Sequence, residues 1–303
     1  MCELPTHDVE YSSHLTTVLI SAFLFLNAQF LALILVVPFK SMGVSAFENP
    51  DNPVNSILYL ALFLVVTAII LLIVRLFGER AIRYVFMGAI IYTFFYIVYL
   101  LLITVLSDTI AFISSVLITV FFMYFTFRRP TWYLMDGVAI IVGGGIIAVL
   151  GVSLAIIPSI IFMVGLAIYD FIAVYKTKHM ISLAEAAIKV QVPLLLIVPK
   201  GRGKIRGRYS NLDDARREAF FMGLGDVIIP GVLVTSSYIY LPLKFVYYLP
   251  ANLIVAMATL AGALCGMVFV LLLAVKGKPQ AGLPFINTGA ILAFAIAYSL
   301  IYL

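Results

Sequence analysis

Two aspartates lie inside strongly apolar stretches of this chain. Asp170 falls in Gly165-Leu166-Ala167-Ile168-Tyr169-Asp170-Phe171, and Asp226 in Met222-Gly223-Leu224-Gly225-Asp226-Val227-Ile228-Ile229-Pro230. A carboxyl within an apolar span is expensive and is a functional hypothesis by default. Lys176 and Arg217 mark the charged ends of the two runs. At about 1.5 Å per helical residue, the acids sit roughly 9 Å and 13 Å below those ends. Consecutive spans run in opposite directions, so the carboxyls reach a similar depth from the same side and face each other if their helices touch. Two carboxyls a few Å apart share a proton more easily than they both ionise. One then acts as general base on a water while the other donates to a carbonyl oxygen. That is aspartic-protease chemistry, which requires neither a metal nor a covalent intermediate. Paired acids in a membrane also suit proton- or cation-coupled transport.

The neighbours of Asp226 suit a working site. Gly223 and Gly225 remove bulk beside the acid and let a helix or a substrate backbone approach. Pro230 has no N–H, so the carbonyl at Asp226 loses its helical partner and the helix is expected to kink there. A similar small-residue approach precedes the last apolar run, in Gln280-Ala281-Gly282-Leu283-Pro284, followed by the polar pair Asn287-Thr288. Tyr169, close to a span end, fits an interfacial anchor.

The elements that must hold these groups are membrane spans. The 303 residues are 64% hydrophobic and 11% charged, with mean hydropathy +1.17. A soluble domain carries about 25% charged residues, so a soluble enzyme, a disordered chain and a nucleic-acid-binding domain are excluded. Runs of about 20 apolar residues cross the bilayer. They fall at about 15–38, 55–74, 84–106, 109–126, 134–152, 155–175, 219–241, 250–275 and 281–303. All are expected to be helical, because an open strand leaves its backbone unsatisfied in lipid. The short links between spans 3 and 4 and between spans 5 and 6 suggest antiparallel hairpins. The sequence thus reads as one transmembrane domain over 1–303: spans 1–6 over about 15–175, a polar loop at 176–218, and spans 7–9 over about 219–303.

Seventeen of the 19 Lys and Arg residues lie in the loops after even-numbered spans. Cytoplasmic loops collect these residues, so the N-terminus and the 176–218 loop are expected in the cytoplasm and the C-terminus outside. The expected localisation is the cell membrane, multi-pass. Neither Cys2 nor Cys265 sits in a metal-binding spacing, and the histidines (His7, His14 and His179) form no His-Glu-x-x-His motif. No metal or other cofactor is expected. A rhomboid-type Ser/His dyad is also disfavoured, because it requires a histidine within a span.

Tyr169-Asp170 and Gly223-Leu224-Gly225-Asp226 resemble the YD and GxGD signatures of the presenilin and signal peptide peptidase family of intramembrane aspartyl proteases. Leu283-Pro284 resembles the end of that family's ninth-span Pro-Ala-Leu-Pro motif, with Ala281-Gly282 standing where the family has Pro-Ala. Order, spacing and span count agree along the whole chain. The orientation and compact length look most like a microbial or archaeal presenilin homologue; prepilin peptidases follow their GxGD with a lysine, and here Ile228 holds that position. The resemblance implies a nine-helix membrane protease with Asp170 and Asp226 as the catalytic pair. It assigns Tyr169, Gly223, Leu224, Gly225, Gly282, Leu283 and Pro284 to shaping the active site and holding substrate. It also implies transmembrane protein substrates within the lipid bilayer. It leaves the need for accessory subunits open and gives no role to nucleic acid.

The polar loop divides in two. Met180 to Leu196 places apolar residues on a helical period, while Val190 to Val198 is β-branched and apolar, and the basic stretch Lys200 to Arg208 suits lipid headgroups. A strand formed from 190–198 would pair with an unwound substrate. Asn211 with Asp213 and Asp214 reads as an N-cap and acidic first turn, placing the start of the span 7 helix ahead of the membrane. Gly262 and Gly266, and Gly143-Gly144-Gly145, suggest close helix packing. Asn27 and Gln29 suit interhelical hydrogen bonds.

Overall fold

A computed structural model of the chain describes residues 6–77, 79–128, 131–177, 195–199, 219–274 and 281–303. Among them are nine α-helices: α1 (Thr6–Ser41), α2 (Val54–Phe77), α3 (Glu79–Leu102), α4 (Asp108–Arg128), α5 (Trp132–Ser153), α6 (Ile156–Ile172), α7 (Leu224–Tyr240), α8 (Ala251–Ala274) and α9 (Gly282–Tyr302). Eight are long and apolar enough to cross a membrane, and α7 is a shorter apolar helix. A helix satisfies its own backbone polar groups, which hydrocarbon requires. The predicted spans match eight of these helices to within a few residues, apart from a longer N-terminal reach of α1.

Span 7 departs from expectation. Residues 219–223 form a strand, β2 (Ala219–Gly223), and the helix begins only at Leu224. A helix running continuously through this segment is therefore ruled out; Asn211, Asp213 and Asp214 lie outside the described residues. β2 pairs antiparallel with β1 (Leu195–Pro199), in the register Leu195–Gly223, Ile197–Phe221 and Pro199–Ala219. Part of the apolar 190–198 stretch is thus strand, but it is partnered within the chain. Leu195 and Leu196 are strand, against the helical reading of that end. The rest of that reading (180–194) and the basic run at 200–208 lie outside the described residues. A second two-stranded turn, β3 (Phe245–Val246) with β4 (Leu249–Pro250), links α7 to α8.

The packing centres on α5, which meets α1, α3, α7 and β1. Its triple glycine supplies the room: Gly145 lies against Ile97 of α3, Gly144 against Leu31 and Ala28 of α1, and Gly143 against Leu224 of α7. The α3–α4 hairpin forms as expected, closed by the Tyr99 hydroxyl donating to Asp108 at 2.5 Å. Helices α5 and α6 do not form the expected hairpin. They diverge after Leu154, and α7 packs against both. The Ser236 hydroxyl of α7 donates to the Leu154 carbonyl at 2.6 Å and lies 2.8 Å from the Ser159 hydroxyl of α6. A short link thus fixed adjacency in sequence, while a third helix took the shared face. Helix α2 is peripheral, packing on α6 and α3 and turning Leu62, Val65, Ile69 and Leu72 outward. Such a face suits lipid, which is as apolar as the side chains.

Candidate active site

Asp170 lies near the C-terminal end of α6, where the helix widens into a π-helical turn, Ala173–Thr177. The Ala173 N–H is shared between the Tyr169 and Asp170 carbonyls. Wide turns of this kind recur at functional sites because they re-aim the side chains beside them. Asp170 is buried, 2% exposed. Asp226 is the third residue of α7, in its first turn, where the unpaired N–H groups of a helix start favour an acid. The residues before it are extended rather than helical, so Asp226 stands at a strand-to-helix corner. The sequence-based depth, which assumed helical rise throughout, does not apply on this side.

The structure brings the two acids together at a third element. One Asp170 oxygen accepts the Leu283 N–H at 3.2 Å. A Cβ added at Gly282 would stand 3.2–3.3 Å from the carboxyl atoms of Asp226. The start of α9 therefore meets both acids, donating a backbone N–H to one and offering a side-chain-free surface to the other. The carboxyls are close enough to interact electrostatically. Ala281 is the N-cap of α9 and is buried, 1% exposed. Pro284 sits within the first turn, where the N–H it lacks has no helical partner to lose. Asn287 donates its side-chain N–H to the Met163 carbonyl at 2.9 Å, tying α9 to α6 one turn further in.

The other predicted site residues separate by what they touch. Leu224, the variable residue between the two signature glycines, is buried and seats against Gly143 of α5, anchoring the start of α7. Gly223 is near the Asp226 carboxyl, where an added Cβ would stand 3.5 Å from an oxygen; space beside Gly225 is open. Tyr169 turns to α2, its ring edge-on to Phe63 with centroids 5.3 Å apart. Helix α7 continues through Pro230 to Tyr240. There the Gln29 side chain of α1 donates to the Val227 carbonyl at 2.8 Å, so Gln29 is the interhelical bonding group expected. Asn27 instead donates within α1, to Phe23. Gly262 and Gly266 pack closely as expected, their Cα atoms against the backbone of α9.

Sequence reasoning missed Asp136, a buried acid near the start of α5. The signal was an ionisable residue just inside the apolar run at about 134–152, eight residues after the basic Arg128.

Comparison with known proteins agrees with this arrangement. Residues 22–301 match the family model described as signal-peptide peptidase, presenilin aspartyl protease. Two solved structures of a presenilin family intramembrane aspartate protease are similar to this chain. The one in space group C222 has a TM-score of 0.69 and 29% identity, covering 93% of this chain and 99% of the other. The one in space group P2 has a TM-score of 0.67 and 30% identity, covering 92% and 96%. No match is found among curated proteins. A multi-pass helical fold, two acids meeting across α6 and α7, and a family match over nearly the whole chain lead to one conclusion: the chain belongs to the signal-peptide peptidase and presenilin aspartyl protease family and is an intramembrane aspartic endopeptidase.

Proposed function

We propose that Asp170 and Asp226 are the catalytic pair and that the enzyme cleaves transmembrane segments of other membrane proteins. The observation that carries this reading is the convergence of both carboxyls on Gly282 and Leu283. One carboxylate takes a proton from a water as its oxygen attacks the scissile carbonyl carbon, and the other carboxyl gives its proton to the carbonyl oxygen. Collapse of the tetrahedral adduct breaks the C–N bond, and the amine leaves with a proton from the dyad. Gly282, Leu283 and Pro284 hold the acids and the substrate backbone in register. Gly223, Leu224 and Gly225 set the corner from which Asp226 projects, and Tyr169 braces α6 against α2.

A transmembrane helix must unwind before its peptide bonds can be hydrolysed. The β1–β2 sheet leads directly into α7, and extended backbone ahead of Asp226 supports a role in receiving extended substrate. Deleting 190–198 should abolish cleavage while the protein stays folded. The Lys and Arg asymmetry supports a cytoplasmic N-terminus and a cytoplasmic 176–218 loop.

The decisive test is incubation of the purified protein in detergent with a single-span substrate, followed by mass spectrometry of the products. Asp170→Asn and Asp226→Asn should each remove the products while leaving the protein's elution profile unchanged. Cleavage surviving in either variant would overturn the assignment of the pair.

A further inference from the structure

Asp136 is a buried carboxyl to which the hydrolysis gives no part. It is 2% exposed; one oxygen accepts the Ile197 N–H at 2.8 Å, and the other is buried with no hydrogen-bond partner among the described residues. Ile197 is the middle residue of β1, opposite Phe221 of β2. An N–H directed at Asp136 points out of the far edge of β1, away from β2, so α5 closes that edge at this residue. Around the contact, Met135, Ile197 and Ala219 form a small buried cluster with Phe221 packed on it.

The same face of α5 makes a second contact two turns further along. Asp136 and Gly143 are seven residues apart, which places them on one side of a helix. Gly143 is where Leu224 seats. One helix face therefore holds the sheet at one end and the start of α7 at the other, and Asp226 is two residues beyond Leu224. We propose that Asp136 is a positioning residue: by docking β1 it fixes the β1–β2 sheet on α5 and so sets where Asp226 stands relative to Asp170.

The chemistry of the side chain fits this role. A buried oxygen without a partner is unfavourable. An alanine here would avoid that cost but would leave the Ile197 N–H without an acceptor. An asparagine keeps the accepting oxygen. Displacing reacting groups by on the order of 1 Å lowers rates by up to ~100-fold, so a loosened sheet should act on turnover more than on substrate binding.

The activity part of the test rests on the proteolytic reading and uses the same cleavage assay on the full chain. Asp136→Ala should lower kcat by about tenfold or more, with KM within about twofold and melting and elution profiles near wild type. Asp136→Asn should recover most of kcat. Hydrogen exchange over 195–199 should be faster in Asp136→Ala than in wild type and restored in Asp136→Asn. A wild-type kcat in Asp136→Ala, an Asn variant as slow as the Ala variant, or a rate loss matched by lost folded protein would each overturn the proposal. Unchanged exchange over 195–199 would overturn it too. Should the wild type itself cleave nothing, the proteolytic reading fails, and the exchange measurement still decides whether Asp136 holds the strand.

Discussion

At the scale of single residues, the site depends on one position having no side chain. A Cβ at Gly282 would stand 3.2–3.3 Å from the Asp226 carboxyl, closer than side chains ordinarily approach. Gly282→Ala requires a shift of a few tenths of an ångström; Gly282→Val adds two methyl groups toward the acids. The Val variant should lose activity by about tenfold or more, since the geometry of reacting groups controls the rate, while its melting temperature changes little. Kinetics and melting of the two variants side by side check this. The acids also make a prediction of sign. With both carboxyls protonated there is no base, and with both ionised there is no proton donor, so the rate is highest between. The optimum should fall on the acidic side of neutral; a rate still rising above about pH 8 would contradict proton sharing. The two signature motifs made these acids legible, because their types and local context are written contiguously. The role of Asp136 was not legible, because its partner is a backbone N–H whose direction depends on a strand pairing.

At the scale of elements, the last two helices form the most extensive helix–helix contact among the described residues, and the site depends on it. A Cβ at Gly262 would lie 2.3 Å from the Gly289 carbonyl oxygen, and one at Gly266 would lie 2.6 Å from that of Phe285. These neighbours are backbone, which yields far less readily than a side-chain tip. Gly262→Val should therefore destabilise the α8–α9 pair by about 1–3 kcal/mol, seen as a lower melting temperature in detergent. Activity should fall with it, because α9 carries Gly282 and Leu283 to the acids. The small-xxx-small spacing in α8 was visible in the sequence; its partner surface on α9 was not. The element that misled was span 7. Ala219-Phe220-Phe221-Met222 is apolar enough to continue a helix, and only pairing with Leu195–Pro199 makes it a strand. Apolar runs too short to show a period do not separate helix from strand.

At the scale of the whole molecule, the charge distribution makes a topological prediction. A protease site placed in the 200–208 stretch should be protected in sealed right-side-out vesicles. One placed between Tyr247 and Tyr248, both almost fully exposed, should be cut. The reverse pattern would invert the expected orientation. The fold itself is a shell of lipid-facing helices around α5 and α7, with the acids held by α6, α7 and α9 rather than by two helices alone.

Hydropathy and two contiguous motifs determined the class of the protein and the number and limits of most spans, and they singled out Asp170 and Asp226 as candidate acids. These properties are local: each depends on a run of some 20 residues or fewer meeting lipid or water. The tertiary structure decided which surfaces meet. It inserted α7 between α5 and α6, turned 219–223 into a strand and brought the start of α9 against both acids. The Leu283–Asp170 and Ile197–Asp136 bonds join residues 113 and 61 positions apart. Contacts at that separation follow from packing all the helices at once, where shape and unsatisfied backbone groups select one arrangement among many that the hydrophobic pattern allows.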